Sequence, residues 1–209
     1  MLYDLSHILN NKSTVYPGTA LPEFIVSATI EKNGYHETCF RFHSHLGTHI
    51  DAPAHMLRHG KFLDKMDITS FCGKGLIIDT NSKSPNIEKE LLINFQKELE
   101  SIDFVLFKTG WGKFWNEKKY FDDFPVLTSE ALHYLFQFRL KGIGFDTISA
   151  DTINSFDFKN HLAIFEKGLI IIENLVFPED MIETTGELFC FPLWYENADG
   201  SPVRAVFRT

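Results

Sequence analysis

The sequence predicts an α/β protein in which helices flank a mixed β-sheet. Short apolar, β-branched or aromatic runs of strand length recur along the chain. Some of them follow segments with helical periodicity, which is typical of parallel strands joined by helices. The chain of 209 residues is long enough to bury a sizeable core, and we expect a single domain over residues 1–209.

Eight runs have the length and composition of β-strands. They are EFIVSATIE (23–31), TCFRFHSH (38–45), GLIIDT (75–80), DFVLFKT (103–109), KGIGFDTI (141–148), GLIIIENL (168–175), ELFCFPLW (187–194) and PVRAVF (202–207). The runs 23–31 and 38–45 suggest a hairpin, and the runs 187–194 and 202–207 are the last strands of the chain. The sheet is therefore predicted to contain antiparallel as well as parallel pairs.

The first of three predicted helices lies between the third and fourth strands. Ser84 is its expected N-cap and Pro85 belongs to its first turn. Its apolar positions fall on one face: Ile87, Leu91, Leu92, Phe95 and Leu99.

Two further helices are predicted before the strands 141–148 and 168–175. One begins at Thr128 or Ser129 and ends at Gly142. The other, KNHLAIFEKG, is shorter and ends at Gly168.

Composition and charge argue against several kinds of partner. The net charge of −8 opposes binding to nucleic acid, which needs a basic face. No apolar run approaches the roughly 18 residues of a membrane helix, and the first residues do not resemble a signal peptide. A cytoplasmic location is therefore expected. The 21 phenylalanines predict a large aromatic core or a flat hydrophobic interface.

Three cysteines, Cys39, Cys72 and Cys190, are odd in number and contain no C-x-x-C pair. This pattern predicts buried thiols in a reducing compartment rather than a disulfide framework.

The stretch FHSHLGTHIDAPAH contains four of the nine histidines and one aspartate. Its glycine, threonine and proline oppose a helix. In an extended chain, alternate side chains share a face, so His45, His49 and Asp51 would project to one side. Gly47 would then leave room between the imidazoles for an ion.

Two imidazoles and a carboxylate without a thiolate suit a divalent ion such as zinc or manganese. Three protein ligands leave coordination positions open for water, as in catalytic sites. Alternatively, the histidines are solvated and Asp51 is a turn residue. The alternating spacing favours the metal site.

HLGTHIDAPAH matches the H-x-G-T-H-x-D-A-P-x-H signature of the cyclase family of metal-dependent hydrolases, which includes bacterial kynurenine formamidase and isatin hydrolase. Further segments resemble the same family in the expected order: TVYPGTALPEF, FKTGW, HLAIFEKGLIIIENL and ADGSPVRAVF. The resemblance covers nearly the whole chain. It implies an α/β fold of the swivelling β/β/α type.

By this resemblance, His45, His49 and Asp51 are metal ligands. Asp51 would bridge to a second ion completed by His161 and Glu173 in members that bind two, so one or two Zn²⁺ or Mn²⁺ ions per chain are expected. Glu173 also follows an apolar strand, where an unpaired carboxylate is costly. Considered alone, a histidine on a short helix such as His161 is more often a surface histidine or one satisfied within the protein.

The resemblance also assigns an acid–base role to His55 and implies a small-molecule substrate and a homodimer or higher homo-oligomer. An imidazole suits proton transfer because it titrates near neutral pH. Tyr16, Phe62 and Trp111 are candidates for an aromatic substrate lining, although each could equally be core.

The expected reaction is hydrolysis of an amide C–N bond, as in an aryl formamidase acting on N-formylkynurenine-type substrates. Ile148 and Ser149 stand where formamidases of the family tend to carry proline and serine, which leaves the substrate open. The alternatives are a hydrolase of cyclic amides or lactones, and a non-catalytic metal or small-molecule binding protein.

Overall fold

The computed structural model describes residues 1–80, 84, 86–179, 181 and 184–209. These residues form the strands β1 (Leu2–Asp4), β2 (Glu23–Ala28), β3 (Glu37–Arg41), β4 (His49–Asp51), β5 (Cys72–Asp79), β6 (Asn86–Ile87), β7 (Phe104–Lys108), β8 (Val126–Leu127), β9 (Gly142–Phe145), β10 (Ile170–Glu173), β11 (Thr184–Phe189), β12 (Gly200–Pro202) and β13 (Val206–Arg208). The α-helices are α1 (Ile30–Asn33), α2 (Lys89–Ile93), α3 (Gln96–Leu99), α4 (Ser129–Leu135) and α5 (Lys159–Glu166).

Nine of these strands form one sheet in the order β1-β13-β11-β5-β7-β9-β10-β4-β12. The neighbours β5, β7, β9 and β10 are parallel, and the remaining pairs are antiparallel. The predicted mixed α/β sheet is confirmed. β2 and β3 form the predicted hairpin as a separate two-stranded sheet, and β6 pairs with β8.

Apolar side chains cover both faces of the sheet. In β7, Val105 and Phe107 point into the core that contains the helices, whereas Phe104 and Leu106 point into the core on the other face. Such two-sided burial explains why the central strands are continuous apolar runs. Phenylalanines fill both cores, which confirms the aromatic core that composition predicted.

The first predicted helix is wrong at its start and in its continuity. Pro85 lies outside the described residues. Ser84 accepts a hydrogen bond from the backbone of Asn86 instead of capping a helix, and Ile87 belongs to β6. The helical part consists of α2 and α3, separated at Phe95, whose φ of −109° and ψ of 19° are not helical.

The other two helices begin or end where expected, with one correction. The Thr128 side chain caps α4 as predicted, but α4 ends well before Gly142. That glycine lies in β9, where a Cβ would come within 2.6 Å of the Ile170 side chain, so it serves close strand packing. α5 ends before Gly168, which adopts a left-handed φ of +73°.

The three cysteines are free thiols, but burial was predicted wrongly for one of them. Cys190 is buried and Cys72 is half-buried, whereas Cys39 is exposed on the β2–β3 hairpin. None of the described helices is long and apolar enough to cross a membrane.

Candidate metal centre

The floor of the site is formed by β4 and β10. These strands pair antiparallel, with His49 opposite Glu173. Because side chains alternate along a strand, His49, Asp51 and Glu173 share one face, while Ile50 and Ile172 enter the core on the other face. Two short strands thus carry one histidine and two carboxylates to the same point.

α5 covers this point and adds His161. Its Nε2 lies 3.2 Å from Glu173 Oε1 and 3.8 Å from Asp51 Oδ2. On the opposite side, His49 Nε2 lies 3.1 Å from Asp51 Oδ1 and 3.5 Å from Glu173 Oε2. All four side chains are buried.

His45 reaches the same carboxylate by a bend, not by the extended chain that we predicted. Gly47 turns the backbone with a left-handed φ of +60°. A Cβ on Gly47 would lie 2.3 Å from the Leu9 side chain, so this glycine does not make room for an ion between the imidazoles. After the bend, His45 Nδ1 lies 2.5 Å from Asp51 Oδ1.

The three histidines share one arrangement. In each ring one nitrogen, the inner one, lies near the carboxylates of Asp51 and Glu173. The other, outer nitrogen contacts an acceptor outside this cluster. The outer contact fixes the orientation of the ring, so the inner nitrogen stays directed at the carboxylates. The outer contacts are His45 Nε2 to Asp199 Oδ2 at 3.1 Å, His49 Nδ1 to Gly47 O at 2.8 Å and His161 Nδ1 to Asp151 Oδ2 at 2.7 Å.

The buried charges depend strongly on one another. Burial, and then the charge of Asp51, raises the pKa of Glu173. Burial alone would raise the pKa of Asp51, but His49 and His45 hold it well below its usual value. Burial alone would also lower the pKa of His45 and His161, but the neighbouring carboxylates raise each to about 10. A cation can take the place of these protons.

The donor set fits one or two divalent ions. His45, His49 and Asp51 form one group of ligand atoms, and Asp51, His161 and Glu173 form a second, with atoms within 4.8 Å of one another in each. Imidazole and carboxylate donors without a thiolate suit zinc or manganese. Asp51 belongs to both groups and can therefore bridge them.

His55 lies beside these groups on the short turn Pro53–His55, and with His45 and Asp199 it forms a third, half-buried group of possible ligand atoms. Its ring centroid is 4.0 Å from that of His45, and its Nδ1 lies 3.8 Å from Asp199 Oδ2. Burial lowers the pKa of His55 to about 4. Its imidazole is therefore neutral at pH 7, with a pKa below the near-neutral value that we expected of a proton carrier.

A cavity of about 320 Å³ opens onto the centre. Its remaining lining residues are Tyr16, Thr19, Met56, Ile148, Ser149 and Phe158. Tyr16 is thus placed where a substrate contact was predicted, whereas Phe62 and Trp111 are not among the described lining residues. Trp111 donates from its indole nitrogen to the carbonyl oxygen of Tyr120 and packs in an aromatic cluster.

Several site residues were not identified from the sequence. Asp151 and Asp199 hold histidine rings from outside, and Phe158 lines the cavity with a left-handed φ of +44°. Asp199 is 154 residues from His45 along the chain, so local spacing contains no sign of their contact. Asp151 precedes the helix of His161, but its role depends on how the intervening loop folds.

Residues 3–152 match the family model described as putative cyclase. A kynurenine formamidase of Bacillus cytotoxicus is 34% identical over 206 residues, which cover 98% of this chain and 96% of that protein.

Solved structures share the fold. An isatin hydrolase bound to the product analogue thioisatinate aligns with a TM-score of 0.87 and 20% identity, over 99% of this chain and 91% of that chain. A predicted metal-dependent hydrolase from Bacillus stearothermophilus aligns with a TM-score of 0.81 and 24% identity, over 99% of this chain and 97% of that chain. The family model and the relative covering nearly the full chain show that this chain belongs to the cyclase family.

Proposed function

We propose that this chain is a metal-dependent hydrolase that cleaves the C–N bond of an amide, with an aryl formamide as substrate. The observation that carries the proposal is the convergence of three inward-facing histidine nitrogens on two buried carboxylates beneath a cavity of about 320 Å³. The 34% identity to a kynurenine formamidase supports the choice of substrate.

In this proposal one or two Zn²⁺ or Mn²⁺ ions bind the chain. His45, His49 and Asp51 would hold the first, and Asp51, His161 and Glu173 would hold the second. A divalent ion bound there would supply Lewis-acid chemistry, lowering the pKa of a water molecule to about 7 and polarising a carbonyl oxygen.

His55 moves the proton. Its neutral imidazole accepts a proton from the water that adds to the amide carbon, and then donates it to the nitrogen of the leaving amine. Asp199 Oδ2, 3.8 Å from His55 Nδ1, favours the protonated ring between these two steps. Proton transfer of this kind typically contributes roughly 10²–10⁴-fold to the rate.

The lining suits a substrate with an aromatic ring. Tyr16 and Phe158 offer aromatic surface, and Ile148 and Met56 offer aliphatic surface. Burial, followed by the charges of Glu173 and Asp151, raises the pKa of Tyr16. Its hydroxyl therefore stays protonated at neutral pH and can donate to a substrate oxygen.

A cyclic amide or lactone is the second candidate substrate. Ile148 and Ser149 line the cavity, at the place where the sequence departs from the proline–serine pattern of formamidases. The fold also matches that of an isatin hydrolase. Comparing kcat/KM for aryl formamides, cyclic amides and lactones on one preparation decides between the two classes.

Two histidine variants test the division of roles. His55→Ala should keep its metal and lose roughly 10²–10⁴-fold in kcat, whereas His49→Ala should lose metal. His59→Ala is the matched control because His59 is exposed and four residues beyond His55. Metal-free His55→Ala protein would make His55 a ligand, and a fully active, metal-replete variant would assign the proton transfer to another group.

We further propose a homodimer or higher homo-oligomer in the cytoplasm. Large apolar side chains are exposed on the β2–β3 hairpin and near β12, including Val26, Phe40 and Trp194, and burial between copies would remove them from water. Three free thiols support a reducing compartment. A monomer mass in solution at micromolar concentration would argue against the assembly.

A further inference from the structure

We propose that Asp199 and Asp151 are positioning residues that control the two ion sites separately. Asp199 sets the affinity of the site that contains His45, and Asp151 sets the affinity of the site that contains His161. The inference rests on the proposed function, because it concerns the ions that the hydrolase would bind.

Asp151 orients the His161 ring, and backbone hydrogen bonds hold the Asp151 carboxylate in place. Its Oδ2 accepts hydrogen bonds from His161 Nδ1 at 2.7 Å and from the His161 backbone nitrogen at 3.0 Å, and its Oδ1 accepts from the Asn160 backbone nitrogen at 2.9 Å. The first turn of α5 thereby fixes the carboxylate. The imidazole is held with Nε2 directed at Glu173, 3.2 Å away.

Asp199 holds the His45 ring in a comparable way from the other end of the chain. Its Oδ2 lies 3.1 Å from His45 Nε2 and accepts from Ser44 Oγ at 3.3 Å. The next residue, Gly200, pairs with Asp51 between β12 and β4. The strand pairing therefore fixes Asp199 relative to the floor of the site, and His45 Nδ1 is directed at Asp51.

The two acidic partners lie in different segments and contact different histidines. His45 belongs to the first ligand group and not to the second, whereas His161 belongs to the second and not to the first. His49 differs from both because its outer acceptor is a backbone carbonyl. Loss of an outer partner typically weakens metal binding by roughly 10–100-fold, and here each loss should weaken one ion only.

The test is a metal titration of Asp199→Ala and Asp151→Ala, with Zn²⁺ measured against a chromophoric chelator and Mn²⁺ by electron paramagnetic resonance. The wild type should bind two ions. Each variant should bind one with unchanged affinity and the other roughly 10–100-fold more weakly. Asp199→Asn and Asp151→Asn keep an acceptor oxygen, so their metal affinities should lie between those of the wild type and the alanine variants. Glu196→Gln and Asp157→Asn are matched controls, since each removes an exposed charge from the same segment.

Crossing these variants with ligand variants separates positioning from general damage. In His161→Ala protein, which keeps the first site, Asp199→Ala should weaken the remaining ion. In His45→Ala protein, which keeps the second site, Asp199→Ala should have no effect on it. Asp151→Ala should show the reverse pattern.

Three results would overturn the inference and leave the hydrolase proposal in place. They are a wild type that binds one ion at saturation, alanine variants that bind both ions as tightly as the wild type, and variants that weaken both ions equally. A wild type that binds no ion would refute the proposed function and the inference with it. Melting temperatures of the metal-stripped variants verify that each protein is folded.

Discussion

Gly200→Ala tests how tightly the backbone packs against a proposed metal ligand. A Cβ at Gly200 would lie 2.5 Å from Cε1 of the His45 ring and 2.8 Å from its Nε2. The added carbon is fixed by β12, so the imidazole must retreat by about 0.9 Å to reach the 3.4 Å at which ordinary contact begins. Metal–ligand distances tolerate only about 0.2 Å. We therefore expect the first ion to bind at least roughly 10–100-fold more weakly.

The assay is competition between the protein and a chelator for Zn²⁺, together with the melting temperature of the stripped protein. The stripped variant should remain folded, because the contacts that a Gly200 Cβ would meet first are with one side chain. Gly112→Ala is the control, since its Cβ would meet its nearest neighbours at 3.6 Å or more. Wild-type metal affinity in Gly200→Ala protein would refute the proposed role of His45.

The remaining predictions concern pH and folding. Because the pKa values of His45 and His161 are raised to about 10, protons compete with the ions at neutral pH. Metal affinity should increase from pH 6 to 9 by up to about tenfold per pH unit for each proton released. Calorimetry in buffers of different ionisation enthalpy counts the protons released on metal binding. A metal affinity that does not change with pH would contradict this prediction. In metal-free protein the raised pKa values of the two histidines stabilise the fold fully below their ordinary pKa of 6.5, and this stabilisation is lost as pH rises through about 10. The Tm should therefore fall towards pH 10 by more in metal-free than in metal-bound protein. Thr128→Ala removes the cap of α4 and should cost about 0.5–2 kcal/mol in the free energy of unfolding without changing kcat; a urea melt unchanged from the wild type would count against the capping role.

The central strands were predictable because their apolar signal is local. β5, β7, β9 and β10 are buried on both faces and therefore appear as continuous apolar runs. The helix start at Ser84 was mispredicted because Ile87 pairs with Leu127 in β6–β8, a contact forty residues away that helical periodicity does not reveal.

The site was predictable in part. A short signature contains His45, His49 and Asp51, and the family resemblance suggested the remaining candidates. The contact between His45 and Asp199 joins residues 154 positions apart, beside the pairing of β12 with β4. It depends on tertiary structure and leaves no pattern in the local sequence. The left-handed bend at Gly47 needs a glycine, but a glycine there also suits the gap in an extended strand that we predicted.

The most direct test of the central claim is hydrolysis of an aryl formamide before and after metal removal, with the metal content measured on the same samples. We predict that chelation abolishes the release of formate, and that one or two equivalents of Zn²⁺ or Mn²⁺ per chain restore it in the wild type but not in His49→Ala protein. Undiminished hydrolysis by protein shown to be metal-free would contradict the account.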